Sequence, residues 1–301
     1  GVRTFMNSFN EIDGIPSTGS KWLQRDILKS QWQFDGFVVS DWGSMGEMIA
    51  HGYAKDGKHA TEIAANTGCD MDMESYLYVE HLAQLVKEGK VKESVIDEAA
   101  GRILRVKFEL GLFENPYKYC DEAREKATVG KPEFQQGVLD IAKKSIVLLK
   151  NQDDILPLKK SGLKIALVGA LADDKSSPLG SWRGAAKDGS AVSVLEGMRN
   201  YTGNQLVYEK GVQVAIGNNV FAKEVKINTT DKTGFDQAIA AAKNADVVVM
   251  VLGEVGYQTG EGRSRSNLEL PGIQQELLEL VHQANPNIVL VLNNGRPMTI
   301  P

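Results

Sequence analysis

The tightest constraint on the fold is a strand-like run at 246–252, in which every residue from Val247 to Leu252 is apolar. Helical spacing precedes this run at 235–245 and follows it at 272–283. Strands that are apolar on both faces are typical of parallel sheets covered by helices on both sides. Strand and helix alternate in the same way along the rest of the chain, which predicts an α/β protein.

The periodicities divide the chain into two α/β blocks. Further strands are predicted at 2–6, 37–40, 164–169, 206–208 and 288–292. Further helices are predicted at 22–28, 58–67, 133–149 and 192–200, with a helical hairpin over 76–112 that breaks at Gly89. A charged, poorly periodic stretch bounded by proline separates the blocks and predicts a linker. We expect domains at 1–118 and 133–301, joined by a linker at 119–132.

Composition excludes several classes of function. The formal net charge is −5, and the basic residues are interspersed with acidic ones, so no nucleic-acid partner is expected. No stretch approaches the ~18–20 apolar residues that cross a bilayer, so no membrane insertion is expected. Two cysteines, Cys69 and Cys120, are too few for a disulfide scaffold, and their spacing matches no metal motif.

The first candidate for chemistry is Asp41, at the end of the strand-like segment Phe37-Val38-Val39-Ser40. Side chains at the carboxyl end of a parallel strand point into the ligand crevice of α/β proteins. Trp42 follows at once and offers a flat surface on which a sugar ring could stack. The alternative for Asp41 is a purely structural one, in which its carboxylate caps the next helix.

The second candidate is the glycine-rich loop 253–266, which carries Glu254 and Glu261. Such loops often bind phosphate, but neither the dinucleotide nor the P-loop spacing is present, and two glutamates would repel an anion. A solvated surface loop is the plain alternative. Together with Asp41, the loop offers a pair of carboxyl groups, which is what cleavage of a glycosidic bond requires. Trp182 is a second possible sugar platform, although tryptophans belong more often to the core.

Several motifs occur in a specific order along almost the whole chain. They are Asp13-Gly14-Ile15-Pro16, Ser40-Asp41-Trp42, Gly111-Leu112-Phe113, Ile155-Leu156-Pro157-Leu158, Gly180-Ser181-Trp182, Ser264-Arg265-Ser266 and Asn294-Gly295-Arg296-Pro297. In this order they make the chain resemble glycoside hydrolase family 3, and within it the bacterial periplasmic β-glucosidase type. The resemblance implies the C-terminal part of a (β/α)8-type barrel followed by an incomplete α/β sandwich domain.

The resemblance also implies roles for individual residues. Asp41 falls at the position of the nucleophile in a retaining mechanism, and Glu261 at that of the acid/base, with Glu254 as a nearby competitor. The other implied substrate-binding residues are Trp42 and Trp182 on the leaving-group side, and Met6 and Phe9 around the terminal sugar. Many relatives carry tyrosine at the place of Phe9. The implied mechanism uses no metal and no organic cofactor.

The resulting hypothesis is an exo-acting β-glucosidase of the periplasm or the secreted fraction, acting on oligosaccharides or aryl glucosides. The alternatives are a β-xylosidase or other exo-glycosidase of the family, a non-catalytic sugar-binding homologue and, less favoured, a nucleotide-binding α/β protein. The family's early barrel strands have no counterpart here, so we expect a fragment of a longer protein. Uncovered strands and apolar faces promote aggregation, and we expect the isolated 301 residues to be inactive and aggregation-prone.

Overall fold

The computed structural model describes residues 1–184, 186–221 and 223–301. The chain divides into two compact units, Gly1–Lys144 (unit 1) and Ser145–Pro301 (unit 2). Each unit combines parallel strands with helices. The α/β class predicted from the alternating pattern is therefore confirmed.

Unit 1 combines helices with a parallel strand pair and a short antiparallel strand pair. Its strands are β1 (Thr4–Met6), β2 (Glu11–Ile12), β3 (Ile15–Pro16) and β4 (Phe37–Val39). Its α-helices are α1 (Ser44–Ala50), α2 (Gly57–Thr67), α3 (Leu77–Lys87), α4 (Glu93–Glu109), α5 (Glu122–Thr128) and α6 (Pro132–Ser145), and a helix with wider, π-type turns covers Trp22–Gln31. β1 and β4 pair in parallel, and a parallel bridge joins Val39 to Met71. Three successive segments thus run in the same direction.

The structure corrects the end of one predicted helix in this region. The helix predicted at 133–149 ends at Ser145, and the four apolar residues that follow are exposed. A continuous apolar run surrounds a helix axis instead of forming one stripe, so it does not extend an amphipathic helix. The stretch predicted as a linker contains α5, and the Asp121 side chain caps this helix by accepting a hydrogen bond from the Arg124 backbone N–H.

Unit 2 is organised around one parallel sheet. Its strands are β5 (Ser161–Val168), β6 (Gly203–Glu209), β7 (Ala215–Ile216), β8 (Lys226–Ile227), β9 (Val247–Gly253) and β10 (Ile288–Asn293). Its helices are α7 (Val194–Arg199), α8 (Phe235–Lys243) and α9 (Gln274–Ala284). The order in the main sheet is β10-β9-β5-β6, and all of its pairs are parallel.

The central strand β9 is buried along its whole length. Val248, Met250 and Leu252 belong to a core cluster that also contains residues of α8 and α9. Val249 and Val251 belong to a second cluster, which includes Leu195 of α7. Alternate residues of β9 therefore face two separate cores, as the uninterrupted apolar run predicts.

A buried ion pair joins the parallel segments of unit 1. Lys29 Nζ lies 2.7 Å from Asp70 Oδ1 and donates a second hydrogen bond to the Gly68 carbonyl at 2.9 Å. The other Asp70 oxygen accepts a hydrogen bond from the Val38 backbone N–H at 2.8 Å. Burial lowers the pKa of the Lys29 ammonium, and the nearby Asp70 carboxylate opposes this shift. The pair thus connects the helix Trp22–Gln31 to β4 and to the segment before Met71.

Replacing Lys29 by methionine should destabilise the protein strongly, because it leaves the buried Asp70 carboxylate without its cation. The expected loss is about 3–5 kcal/mol of unfolding free energy. Lys58→Met is the matched control, because it removes a more exposed ion pair with Glu88 and should cost less than about 1 kcal/mol. Denaturant unfolding of the complete gene product measures both, and equal losses would contradict a structural role for the Lys29–Asp70 pair.

Candidate functional site

The turn that carries Asp41 is held by hydrogen bonds to the neighbouring segment 71–73. Ser40 is fully buried, and its backbone N–H donates to the Met71 carbonyl at 2.9 Å. Its hydroxyl accepts a hydrogen bond from the Met73 N–H at 2.7 Å. Gly43, in the left-handed conformation at φ +69°, donates its N–H to the Met73 carbonyl at 3.0 Å. These bonds fix the backbone on both sides of Asp41.

The Asp41 carboxylate does not cap a helix. Helix α1 begins at Ser44, its N-cap is Gly43, and no side chain caps it. Instead, Asp41 Oδ1 accepts a hydrogen bond from the Trp42 backbone N–H at 2.7 Å. The side chain is partly exposed, and within the described part of the chain it has no other hydrogen-bond partner. The capping alternative is therefore wrong, and one carboxylate oxygen stays accessible.

The other predicted residues of unit 1 lie near the same strand ends. Met6 is paired in register with Val39, so β1 and β4 end side by side. Met6 is exposed and Phe9 is partly exposed. Trp42 is 65% exposed, so the alternative of a core tryptophan does not hold for it.

A buried polar network that no sequence pattern indicates lies beneath these strand ends. Thr18 Oγ1 lies 2.9 Å from both Asn7 Oδ1 and Ser44 Oγ. The Asn7 amide also donates to Gln24 Oε1 at 3.3 Å. Single polar residues scattered through a sequence carry no periodic signal, which is why only the folded chain reveals them. The network connects the segment after β1 to the start of α1.

In unit 2, the two candidate glutamates have opposite environments. The Glu254 side chain is 0% exposed, and its Oε1 lies 2.8 Å from Arg265 Nη1 and 3.2 Å from Arg296 Nε. Glu261 is exposed, and no hydrogen bond or ion pair is found for it among the described residues. It is flanked by Gly260 and Gly262, both with positive φ. Only Glu261 can be reached by a ligand without rearrangement of the loop.

The loop that bears Glu261 packs beside the segment that bears Trp182. Gly256 N–H donates to Ser177 Oγ at 2.9 Å, and Arg183 Nη2 donates to the Tyr257 hydroxyl at 2.7 Å. The Trp182 indole is mostly exposed, and its centroid lies 5.4 Å from the Phe221 ring in an edge-on arrangement. Trp182 is thus a surface aromatic on a segment adjoining the Glu261 loop.

The predicted residues therefore form two groups, one in each unit. Asp41, Trp42, Met6 and Phe9 belong to unit 1, and Glu254, Glu261 and Trp182 to unit 2. No group of three or more histidine, cysteine, aspartate or glutamate side chains that could hold a metal ion occurs in the described ranges. No helix in those ranges has the length and apolar content needed to cross a membrane.

The fold is that of an α/β protein with carboxylates at its strand ends, and comparison with known families specifies the class of protein further. Residues 146–301 match the Glycosyl hydrolase family 3 C-terminal domain, and residues 1–106 match the Glycosyl hydrolase family 3 N terminal domain. The chain belongs to glycosyl hydrolase family 3.

Individual relatives agree with this assignment. The chain is 36% identical to a periplasmic beta-glucosidase of Salmonella typhimurium, with 100% of this chain and 41% of that protein aligned. It is 33% identical to a beta-xylosidase of Formosa agariphila, over 100% of this chain and 42% of the relative. The chain thus spans about two fifths of the length of these curated relatives.

Solved structures give the same result. A beta-glucosidase from Listeria innocua in complex with glucose superposes with a TM-score of 0.83 at 34% identity, covering 97% of this chain and 38% of that one. A beta-glucosidase involved in saponin metabolism from intestinal bacteria gives a TM-score of 0.85 at 33% identity, covering 99% and 42%.

Gly253, at the base of the Glu261 loop, should tolerate no side chain. Its φ is +134°, and an added Cβ would lie 2.1 Å from the Asn293 carbonyl oxygen. The buried Gln274 amide also fixes it, since Gly253 N–H donates to Oε1 at 2.9 Å and Nε2 donates to the Gly253 carbonyl at 2.8 Å. We expect Gly253→Ala to cost more than about 3 kcal/mol, because strained backbone alone costs about 1–3 kcal/mol.

Gly262→Ala is the matched control for this prediction. Its φ is +67°, but an added Cβ would meet nothing within 4 Å, so only about 1–2 kcal/mol of backbone strain is expected. Thermal unfolding of both variants measures the difference. A Gly253 variant as stable as the Gly262 variant would contradict the close packing at the loop base.

Proposed function

We propose that this protein is an exo-acting retaining β-glycosidase, and specifically a β-glucosidase that releases terminal glucose from β-glucosides and cello-oligosaccharides. The observation that carries the proposal is the accessible Asp41 carboxylate, held at the end of β4 beside the exposed Trp42 in a family 3 chain. The names of the Salmonella and Listeria relatives support glucose as the terminal sugar.

The architecture we propose is the C-terminal part of a (β/α)8-type barrel at 1–118 and an α/β sandwich domain at 133–301. The order β1, helix, β4, helices and the Val39–Met71 bridge supports the first part, because it is the repeating strand–helix unit of such barrels. The parallel sheet around β9 supports the second. The 119–132 segment then joins the two domains.

In the first chemical step, an Asp41 carboxylate oxygen attacks the anomeric carbon and the bond to the leaving oxygen breaks. The geometry favours this role because the backbone around Asp41 is fixed by Ser40 and Gly43, while among the described residues only the Trp42 N–H binds the carboxylate. A nucleophile that is already held in position loses less freedom on reaching the transition state. This lowers the entropic part of the activation free energy of the reaction. The product of this step is a glycosyl ester on Asp41.

We assign the acid/base role to Glu261 and not to Glu254. Glu261 is exposed between two glycines, so its carboxyl group can protonate the departing oxygen and then take a proton from the attacking water. Glu254 has both oxygens engaged by arginine or backbone donors in a buried site. A leaving-group oxygen would have no access to it.

The exposed aromatic and apolar side chains complete the proposed site. Trp42 and Trp182 would stack against sugar faces on the leaving-group side, and Met6 and Phe9 would line the pocket of the terminal sugar. Their exposure supports these roles, since a buried side chain could not contact a ligand. All of the proposed steps use carboxyl groups of the chain, with no metal or organic cofactor.

A β-xylosidase is the second candidate, because the Formosa relative carries that name at 33% identity. The two activities differ in the hydroxymethyl group on the terminal sugar. Parallel measurement of kcat/KM on 4-nitrophenyl β-glucoside and β-xyloside separates them.

A periplasmic location is proposed on the name of the Salmonella relative.

Asp41→Asn should abolish turnover while leaving sugar binding intact. We expect kcat on 4-nitrophenyl β-glucoside to fall at least ~10³-fold in the complete gene product, because an amide is a poor nucleophile. The control is Asp26→Asn on the helix Trp22–Gln31, where Asp26 forms an exposed ion pair with Lys21. A fall of only a few-fold for Asp41→Asn would exclude the nucleophile role, and binding without turnover in the natural protein would favour a sugar-binding homologue.

The double displacement predicts retention of anomeric configuration. Proton NMR of the reaction should show the β-anomer of the released sugar before mutarotation. In a ligand-bound structure of the complete enzyme, the two carboxyl groups should lie about 5–5.5 Å apart. First appearance of the α-anomer, or a separation near ~8 Å, would refute retention.

A further inference from the structure

The buried Glu254 carboxylate binds two arginines from distant parts of unit 2. Arg265 Nη1 lies 2.8 Å from Oε1, and Arg296 Nε lies 3.2 Å from Oε1 and 3.3 Å from Oε2. The Gly295 N–H lies 3.4 Å from Oε2. A buried carboxylate is costly unless such partners compensate the lost hydration, so these three charged groups depend on one another.

Two of the charged residues lie at the two ends of the Glu261 loop, and the third lies after the neighbouring strand. Glu254 directly follows β9, Arg265 lies four residues after Glu261, and Arg296 follows β10. The Glu254 N–H also donates to the Asn293 carbonyl at 2.8 Å, which joins the ends of the two strands. The cluster thus closes the loop 254–265 at its base.

Each arginine also donates a hydrogen bond to a backbone carbonyl. Arg296 Nη2 donates to the Gln258 carbonyl at 2.7 Å, three residues before Glu261. Arg265 Nη2 donates to the Glu269 carbonyl at 2.9 Å, on the outgoing side. The planar fork of arginine allows this double contact, which a lysine ammonium cannot reproduce with the same geometry.

Among the described residues the Glu261 side chain has no hydrogen bond or ion pair, and the nearest side-chain restraint at the loop tip is Arg263, which donates to the Phe221 and Lys223 carbonyls. Glu261 lies between two glycines with positive φ, and a Cβ added at Gly262 would meet nothing within 4 Å. The direction in which Glu261 projects therefore depends on the backbone on either side of it. That backbone is held at Gln258 and Arg265 by the contacts of Arg296 and Arg265, in addition to the Arg263 hydrogen bonds at the tip.

We propose that Glu254, Arg265 and Arg296 form a positioning cluster that sets the place of Glu261 for proton transfer to the leaving group. This inference rests on the proposed acid/base role of Glu261. None of the three residues touches the substrate in this account. They act by fixing both ends of the loop, and an error of about 1 Å in such positioning can cost ~10²-fold in rate.

The test compares leaving groups in the complete gene product carrying Arg296→Lys or Arg265→Lys. A 2,4-dinitrophenyl leaving group departs without protonation, whereas a phenyl leaving group needs an acid. We expect kcat/KM on phenyl β-glucoside to fall ~10-fold or more, with kcat/KM on the dinitrophenyl glucoside staying within about twofold. Because kcat/KM reports glycosylation, slow release of the sugar does not obscure the result.

The activated substrate also reports whether each variant folds. An equal fall on both substrates means a general structural defect and overturns the positioning role. So does an unchanged kcat/KM on both. Arg199→Lys, an exposed arginine at the end of α7, is the matched control and should change neither value.

Glu261→Gln separates failure of this inference from failure of the proposed function. If Glu261 is the acid/base, this variant shows the same dependence on the leaving group, but a larger one. We expect its kcat/KM on phenyl β-glucoside to fall about 10²–10⁴-fold. If Glu261→Gln shows that pattern and the arginine variants do not, only the positioning cluster is wrong. If Glu261→Gln itself lacks the pattern, the acid/base assignment is wrong and the cluster loses its role with it.

Discussion

Parallel pairing of buried strands determines where polar and charged side chains can lie in this protein. Every residue of β9 is buried, so its backbone must pair with β5 on one side and β10 on the other. Polar and charged side chains are therefore excluded from the strand and lie at its ends. Glu254 and the glycine-rich loop begin where β9 finishes. In unit 1, the buried Val38 and Ser40 lead in the same way to Asp41 at the end of β4.

The three acidic residues at or after these strand ends differ through their environments. Asp41 is partly exposed and bound by a single backbone N–H. Glu254 is enclosed and bound to two guanidinium groups. Glu261 is exposed on a glycine-flanked tip. In the proposed mechanism, this difference in accessibility is the reason that Asp41 is assigned as the nucleophile, Glu261 as the acid/base and Glu254 as a structural anchor.

Much of the secondary structure of unit 2 was predictable, because the sequence pattern of each element lies within one short segment. The apolar run of β9 and the helical spacing of α8 and α9 are each complete within one segment, and the structure reproduces them to within two residues. The helix predicted at 133–149 was too long, since hydrophobicity alone does not distinguish a helix from the apolar chain after Ser145. The helix α5 in the predicted linker is capped at its N-terminus by Asp121.

The site was only partly predictable, because its supporting contacts join residues far apart in sequence. Arg296 lies 42 positions after Glu254, and Ser40 binds Met73 across 33 positions. No periodicity marks such pairs. Position at a strand end did identify Asp41 as a candidate, but the choice between capping and an accessible carboxylate needed the start of α1 at Ser44.

The central claim is that Asp41 forms a covalent bond to the sugar, and trapping that bond tests it most directly. The complete gene product would be treated with 2,4-dinitrophenyl 2-deoxy-2-fluoro-β-glucoside, digested with trypsin and analysed by tandem mass spectrometry. A fluoroglucosyl ester is expected on Asp41, within the peptide from Ser30 to Lys55. A label on another carboxylate of that peptide or elsewhere in the chain would contradict it.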